Sequence, residues 1–190
     1  MIPTVALLDA NVLYPAPLRD LLLQLAFAGL FQARWSADIN DEWRRNLLAA
    51  RPELTAQIAL TQATMHRAMP DALVTGYEVY IADLSLPDPD DRHVLAAAIT
   101  AGADVIVTFN LKDFPSEVLT THGVEAQHPD AFLQLFITVM PDLFFRGVRD
   151  CLSRLTRPPV GADDYLKIMR RIGMAETVRF LEDNRMSWQT

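Results

Sequence analysis

The sequence has little cysteine, little basic charge and no long apolar run. Its 190 residues include a single cysteine, Cys151, which excludes an intramolecular disulfide and fits a reducing compartment. The longest uncharged run, Leu21–Ala33, is shorter than the ~20 apolar residues that a transmembrane helix needs. No basic residue precedes the first apolar run, and Asp9 interrupts it, unlike a secretory signal. These absences predict a soluble, cytoplasmic protein without a membrane partner.

Motifs of several enzyme classes are missing as well. The chain has no glycine-rich phosphate loop, and its serines and threonines form no nucleophile-elbow motif. Its four histidines show no paired metal-ligand spacing and are interpreted as structural or surface residues: His66, His93, His122 and His128. Cys151 lies between apolar neighbours and is interpreted as a packing residue rather than a nucleophile.

Basic residues are too few for an ordinary nucleic-acid-binding surface. The net charge is −7, whereas a basic patch is the usual sign of such a surface. Residues 1–128 contain 8 Lys or Arg against 16 Asp or Glu, while residues 129–190 contain 9 against 8. Divalent cations reverse the sign of the local field, so an acidic part that binds cations is compatible with a polyanionic substrate.

Over the first 128 residues, apolar segments of strand length alternate with helical segments. We predict strands at Thr4–Leu8, Leu30–Trp35 and Asp104–Phe109, an edge strand at Gly123–Gln127, and a short strand near Val79–Leu84 after a short helix. We predict helices at Leu18–Ala28, from the N-cap Ser36 to Ala50, at Glu53–Arg67, and at Asp91–Ala101 between the caps Asp90 and Gly102. This alternation is typical of a parallel sheet covered on both faces.

After residue 128 the strand signals stop. We predict helices at Pro129–Val139, Asp142–Leu155, Asp163–Ile172 and Ala175–Asp183, with a breaker at residues 156–161. The predicted fold class is therefore α/β, with a parallel sheet flanked by helices and an additional α-helical C-terminal segment. The expected division is a domain at residues 1–139 and a helical extension at residues 140–190.

Two acids follow predicted parallel strands. Asp9 ends the strand Thr4–Leu8, and Asp113 lies in the loop after the strand Asp104–Phe109. The carboxyl ends of parallel strands meet at one edge of a sheet, where ligands of open α/β sheets bind. Each acid taken alone is equally well explained as a turn or capping residue.

Two further acids fall on core-facing positions of predicted helices. Glu42 lies on an apolar stripe formed by Ile39, Trp43, Leu47 and Ala50. Asp91 lies in the first turn of its helix, on the face that carries Val94, Leu95 and Ala98. A carboxylate on a buried face is costly unless it is paired or bound to a metal. The alternative for Glu42 is a salt-bridged residue at the margin of the stripe.

Together, these four acids predict a site for Mg²⁺ or Mn²⁺, because hard cations prefer oxygen ligands. Divalent metals at such a site support phosphodiester hydrolysis, since they activate a water and stabilise the attacking and leaving oxygens. A phosphatase of the haloacid-dehalogenase kind also has an Asp after its first strand. It needs a second acid two residues further on, where this chain has Asn11.

Three stretches of sequence resemble the PIN-domain family, especially bacterial VapC-type toxins. They are LLDANVL, DEWRRNL and DPDDRHVLAAAITAGADVIVTFNLKDFP, of which the last is the most specific. The resemblance covers about residues 4–128. It implies the fold of that family, a parallel sheet flanked by helices, and leaves the helices from about Pro129 as an addition to a minimal member.

The resemblance also implies which residues form the site. The positions that match the first three acids of the family are Asp9, Glu42 and Asp91. The fourth ligand is either Asn110, where many members have Asp, or Asp113. Asn11 and Thr108 match supporting positions.

The activity implied by the resemblance is a Mg²⁺- or Mn²⁺-dependent endoribonuclease. Bacterial members are often toxins, so the expected partners are an RNA substrate and a small antitoxin protein, together with a second copy in a homodimer. The alternative is a catalytically inactive PIN scaffold that binds RNA or a protein. Such a scaffold predicts eroded acids, whereas this chain retains at least four candidates.

Arginines are grouped in the C-terminal segment, at Arg146, Arg149, Arg154 and Arg157. Arg146 and Arg149 are three residues apart, so they share a helical face. One interpretation is a solvated face on a helical cap. The other is a weak RNA-binding surface that contacts phosphates, which gives salt-dependent affinity without base specificity.

Overall fold

A computed structural model describes residues 4–155 and 160–189; Arg157 lies outside these residues. The strands are β1 (Val5–Leu8), β2 (Gln32–Ser36), β3 (Leu73–Val74), β4 (Val105–Val107) and β5 (Glu125–Gln127). The α-helices of the described residues are α1 (Ala10–Leu13), α2 (Ala16–Phe27), α3 (Ala37–Ala50), α4 (Thr55–Ala68), α5 (Glu78–Ile81), α6 (Arg92–Ala101), α7 (Ser116–Leu119), α8 (Pro129–Val139), α9 (Pro141–Arg154), α10 (Ala162–Arg171) and α11 (Ala175–Asp183). None of these helices is long and apolar enough to cross a membrane.

The five strands form one parallel sheet in the order β3-β2-β1-β4-β5. The chain moves outward from β1 through β2 to β3 and then returns to the other side of β1 as β4 and β5. The topological switch point therefore lies between β1 and β4, which pair through Leu7 and Ile106. Both of these side chains are fully buried. The predicted α/β fold with a helix-flanked parallel sheet is confirmed.

Helix α3 carries Glu42 and helix α6 follows Asp91, and local signals set where each helix begins or ends. The Ser36 hydroxyl accepts a hydrogen bond from Ile39 N–H at 3.1 Å and caps α3, as predicted. Gly102 ends α6 with a φ of 58°, a conformation that glycine adopts without strain. The apolar stripe on α3 is shorter than predicted, because Trp43 is fully buried but Ala50 is exposed.

The predicted strand near Val79–Leu84 is wrong. Helix α5 occupies the beginning of that segment, and the edge strand β3 lies before α5, directly after a 3-10 turn at Pro70–Ala72. β3 is only two residues long and exists because it pairs with Trp35 and Ser36 of β2. Such a pairing depends on the partner strand, so the local pattern did not reveal it.

The predicted role of Asp90 as the cap of α6 is also wrong. Asp88 Oδ1 accepts a hydrogen bond from Asp90 N–H at 2.9 Å and begins a 3-10 turn, Pro89–Asp91, that leads into α6. Asp91 is the residue immediately before α6, and its side chain makes no capping hydrogen bond. The Asp91 carboxylate therefore does not cap the N-terminus of α6.

The contacts divide the chain into two compact units, neither of them a continuous stretch. The first comprises Met1–Tyr14 and Phe31–His128 and holds the sheet. The second comprises Pro15–Leu30 and Pro129–Thr190 and holds α2 and α8–α11. Their boundaries differ from the division predicted after residue 139. That division concerned separate domains of the chain, and it stays a prediction.

Within the second unit, Asp130 on α8 caps the beginning of α11. Its carboxylate accepts hydrogen bonds from the N–H groups of Glu176 and Thr177, both at 2.8 Å, and from the Thr177 hydroxyl at 2.6 Å. The first amides of a helix have no partner within the helix. The N-cap residue of α11, Met174, supplies no side-chain cap, so Asp130 satisfies these amides from another helix.

We predict that Asp130→Ala lowers the free energy of unfolding by about 2 kcal/mol, because buried N–H donors lose their acceptor. Urea denaturation followed by circular dichroism measures the change. Asp142→Ala is the matched control, since Asp142 lies in the first turn of α9 but is exposed. Equal stabilities of the two variants would contradict the capping role.

Candidate metal centre

Asp9 lies at the topological switch point, where β1 ends and α1 begins, and is only 4% exposed. Its Oδ1 accepts a hydrogen bond from Ala10 N–H at 2.6 Å. Its Oδ2 accepts from the Asn11 side-chain amide at 2.6 Å and from the Thr108 hydroxyl at 2.7 Å. Asn11 Oδ1 in turn accepts from Phe109 N–H at 3.1 Å. These bonds fix the carboxylate between the ends of the two central strands.

Asp113 is connected to the same network through Asn110. The Thr108 hydroxyl accepts a hydrogen bond from Asn110 N–H at 3.0 Å, and the Asn110 side-chain amide donates to Asp113 Oδ2. Asn110 therefore presents a donor to Asp113. Lys112 extends into solvent, with its Nζ 3.9 Å from Asp113 Oδ2.

Asp91 lies close to two other acids. Ligand oxygens of Asp88, Asp91 and Asp113 all lie within 4.8 Å of one another. Asp88 is exposed, whereas Asp91 and Asp113 are partly buried. One Asp91 oxygen, Oδ2, is buried and has no hydrogen-bond partner among the residues that the structure describes.

Glu42 extends from α3 toward α6 and contacts His93. The distance between Glu42 Oε2 and His93 Nε2 is 3.6 Å, with the two side chains 34% and 17% exposed. The contact joins the helix that carries Glu42 to the helix that Asp91 precedes. The alternative interpretation of Glu42, a paired residue at the margin of the stripe, describes part of this arrangement.

Burial and nearby negative charges disfavour the ionisation of Asp9 and Asp91. Burial raises the pKa of Asp9 to about 6, with a further increase from the charge of Glu42, against the lowering effect of the Thr108 hydrogen bond. Burial also raises the pKa of Asp91 to about 7, and the charges of Asp9, Asp88, Asp113 and Glu42 add to the increase. The acids of the site therefore act on one another electrostatically.

The arrangement fits a divalent cation. A buried carboxylate oxygen without a donor, Asp91 Oδ2, is costly unless something positive approaches it. The donor set consists of carboxylate oxygens, which Mg²⁺ and Mn²⁺ prefer. Burial, and to a smaller extent neighbouring negative charges, raise the pKa values of Asp9 and Asp91, and a cation at this place would offset both effects.

The structure brings Asp91 and Asp113 into one close group with Asp88, whereas Asp9 and Glu42 are not members of that group and act on Asp91 through their charges. Sequence reasoning missed two residues of the site. Asp88 belongs to the close group of acids, and His93 contacts Glu42. The run DPDD contained the signal for Asp88, since three acids share the segment before α6. His93 carried no local signal, because its partner comes from another helix.

The two predicted RNA-binding arginines lie on α9, in the second unit. Arg146 is exposed. Arg149 donates a hydrogen bond to the Ser187 carbonyl at 2.6 Å, so part of its function is structural. Their role in RNA binding stays a prediction.

Comparisons with known proteins agree with the geometry. The family model "PIN domain" matches residues 5–112, and the model "VapC50 C-terminal domain" matches residues 129–183. A curated protein of Mycobacterium tuberculosis (strain ATCC 25618 / H37Rv), named "Putative ribonuclease VapC50", is 44% identical over 75 residues, or 37% of this chain. The chain spans only 44% of the length of that relative. No solved structure matches the chain.

We predict that the metal-free protein loses stability as the pH rises from about 4 to about 7. The pKa values of Asp9 and Asp91 rise from 3.8 to about 6 and about 7 on folding. The folded state therefore binds more protons than the unfolded state in this window, and the stabilisation is lost as the pH passes the folded pKa values. Urea denaturation in EDTA at a series of pH values measures the slope.

Asp91→Asn should flatten this slope, because it removes the group with the higher pKa. Asp71→Asn, a change at an exposed acid outside the site, should leave the slope unchanged. A slope in Asp91→Asn as steep as in the wild type would refute the electrostatic account of the site.

Proposed function

This chain belongs to the PIN-domain family, and from that membership we propose that it is a divalent-metal-dependent endoribonuclease. The observation that carries the proposal is the group of acids beside the switch point of the sheet, in which one Asp91 oxygen is buried without a donor. Open α/β sheets bind their ligands at this edge. A charged phosphodiester is the substrate class that a cation among carboxylates suits best.

The proposed ligands of Mg²⁺ or Mn²⁺ are Asp9, Glu42, Asp91 and Asp113. We assign the fourth position to Asp113 rather than Asn110, because the Asn110 amide donates to Asp113 and so orients it. Thr108 and Asn11 hold Asp9 by donating to its Oδ2. The bound metal supplies a polarised water and charge stabilisation for phosphodiester hydrolysis. Asp88 belongs to the same close group of acids and would add a further carboxylate oxygen to the donor set.

The hydrogen bonds of Asp9 and the charge of Lys112 prepare the site for RNA. The hydrogen bonds to Asp9 prevent its carboxylate from rotating, so the site is ordered before RNA arrives. Lys112 is the exposed cation beside Asp113, and it neutralises a phosphate of the incoming strand as RNA approaches this acidic edge.

The relative named "Putative ribonuclease VapC50" also suggests a biological role. We propose that the chain acts as the toxin of a toxin–antitoxin pair, with a small antitoxin protein as partner. Homodimer formation and a cytoplasmic location belong to the same proposal. The rival is a catalytically inactive PIN scaffold. The four candidate acids are all present, and the Thr108 hydroxyl donates to Asp9, which favours the enzyme.

We predict that Asp91→Asn lowers metal-dependent RNA cleavage by about 100-fold or more, because one ligand charge is lost. The fold should remain, since the altered oxygen has no hydrogen-bond partner among the described residues and the change relieves repulsion. Asp9→Asn and Glu42→Gln should have the same effect on cleavage. Cleavage of a labelled RNA with Mn²⁺ and with EDTA measures the activity.

The control for this series is Asp71→Asn, which should cleave like the wild type. Thermal melting adds a second readout, because a ligand that binds only the folded state raises the melting temperature. Mn²⁺ should stabilise the wild type and should stabilise Asp91→Asn much less. A folded Asp91→Asn variant with wild-type cleavage would exclude this residue as a ligand, and an inert wild type would favour the scaffold.

We also predict that Arg146→Gln weakens RNA binding and flattens its salt dependence, because each phosphate contact releases about one counterion. Arg146 is exposed, so the melting temperature should not change. Arg149→Gln should weaken binding similarly but should also lower the melting temperature, since Arg149 holds the Ser187 carbonyl. Filter binding to RNA at several salt concentrations measures both slopes. Wild-type slopes in both variants would leave α9 without an RNA-binding role.

A further inference from the structure

His93 is the basic side chain that contacts Glu42 in the site, and the proposed function gives it no role. It is the second residue of α6, and its Nε2 lies 3.6 Å from Glu42 Oε2. Its other nitrogen, Nδ1, is buried and has no hydrogen-bond partner among the described residues. Of the two ring nitrogens, only Nε2 therefore contacts a polar group of the described residues.

The two side chains connect α3, which carries Glu42, to α6, which Asp91 immediately precedes. Trp43 follows Glu42 on α3 and is fully buried, and Val94 follows His93 on α6 and is also fully buried. These buried neighbours fix the backbone on each side of the contact. The Glu42 side chain has three rotatable bonds and is one-third exposed, so its own packing does not hold its carboxylate in place.

We infer that His93 is a positioning residue that orients Glu42 for metal binding through the contact between Nε2 and Oε2. The inference rests on the proposed function, because it needs a cation at the acids. A carboxylate that accepts a hydrogen bond at one oxygen keeps its other oxygen for a ligand. Partners of this kind around metal ligands typically change metal affinity by about 10- to 100-fold when they are removed.

His93 is not itself a ligand in this arrangement. Its Nε2 faces an oxygen of Glu42, and its Nδ1 is buried away from solvent. The neutral imidazole still carries one N–H, so the positioning role does not require a charged ring. At 3.6 Å the two atoms lie beyond hydrogen-bond distance, so the positioning role requires the contact to shorten when a cation is bound.

The test measures the affinity of the full-length protein for Mn²⁺ by calorimetric titration at about pH 8, where an unperturbed imidazole is neutral. His93→Phe keeps the ring and removes the N–H donor, and it should weaken binding by about 10-fold. His93→Gln restores an N–H donor and should bind within about threefold of the wild type. His122→Phe is the matched control, because His122 is exposed and outside the site, and it should bind like the wild type.

A double-mutant cycle with Glu42→Gln separates positioning from other roles. If His93 acts through Glu42, then His93→Phe should cause no further loss of affinity in the Glu42→Gln background. An equal loss in both backgrounds overturns the inference, and so does a nitrogen directly coupled to Mn²⁺ in pulsed electron paramagnetic resonance. Wild-type affinity of a folded His93→Phe variant also overturns it.

Failure of the proposed function has a different signature. A wild-type protein that binds Mn²⁺ but cleaves no RNA contradicts the ribonuclease proposal, while the affinities of the His93 variants still decide the positioning role. A wild-type protein that binds no Mn²⁺ overturns both.

Discussion

Repulsion among carboxylates that are partly removed from water is the constraint on which the acidic edge of this protein depends. Asp9 is almost completely buried, and its charge acts on Asp91 together with those of Asp88, Asp113 and Glu42. Only protons or a cation relieve this repulsion. The neutral hydrogen bonds that hold Asp9 orient its carboxylate without cancelling its charge. The sheet thus keeps the acids together at a cost in free energy that a bound cation would offset.

The sequence was sufficient for the parts of the structure that local patterns determine. The apolar run before Asp9 and the run before Thr108 predict the two central strands, and Ser36 predicts the beginning of α3. Once strands alternate with helices, a parallel sheet follows, and acids after its strands meet at one edge. The candidate ligands follow from this reasoning together with the family resemblance, and their role in binding metal stays a prediction.

The features that the sequence did not predict all depend on a partner far along the chain. β3 forms only because β2 offers it hydrogen bonds, and its two residues have no pattern of their own. His93 has a role only beside Glu42, which lies on another helix. In the sequence, Asp130 is an ordinary acid in the first turn of a helix. Its capping role arises because two N–H groups at the beginning of α11 donate to it. In each case a long-range contact, and not the residue type alone, determines the role of the segment or side chain.

The discontinuous second unit has a consequence for how the chain is made. Helix α2 is synthesised well before α9 and α10, yet it packs against both, and its Gln24 is 126 positions from its hydrogen-bond partner Asp150. Four leucines of α2 are fully buried in the finished protein: Leu18, Leu21, Leu22 and Leu25. Until the C-terminal helices leave the ribosome, these side chains lack their final partners from that segment. Long-range closure of this kind slows folding, and the four leucines of α2 then add apolar surface on which a nascent chain can aggregate.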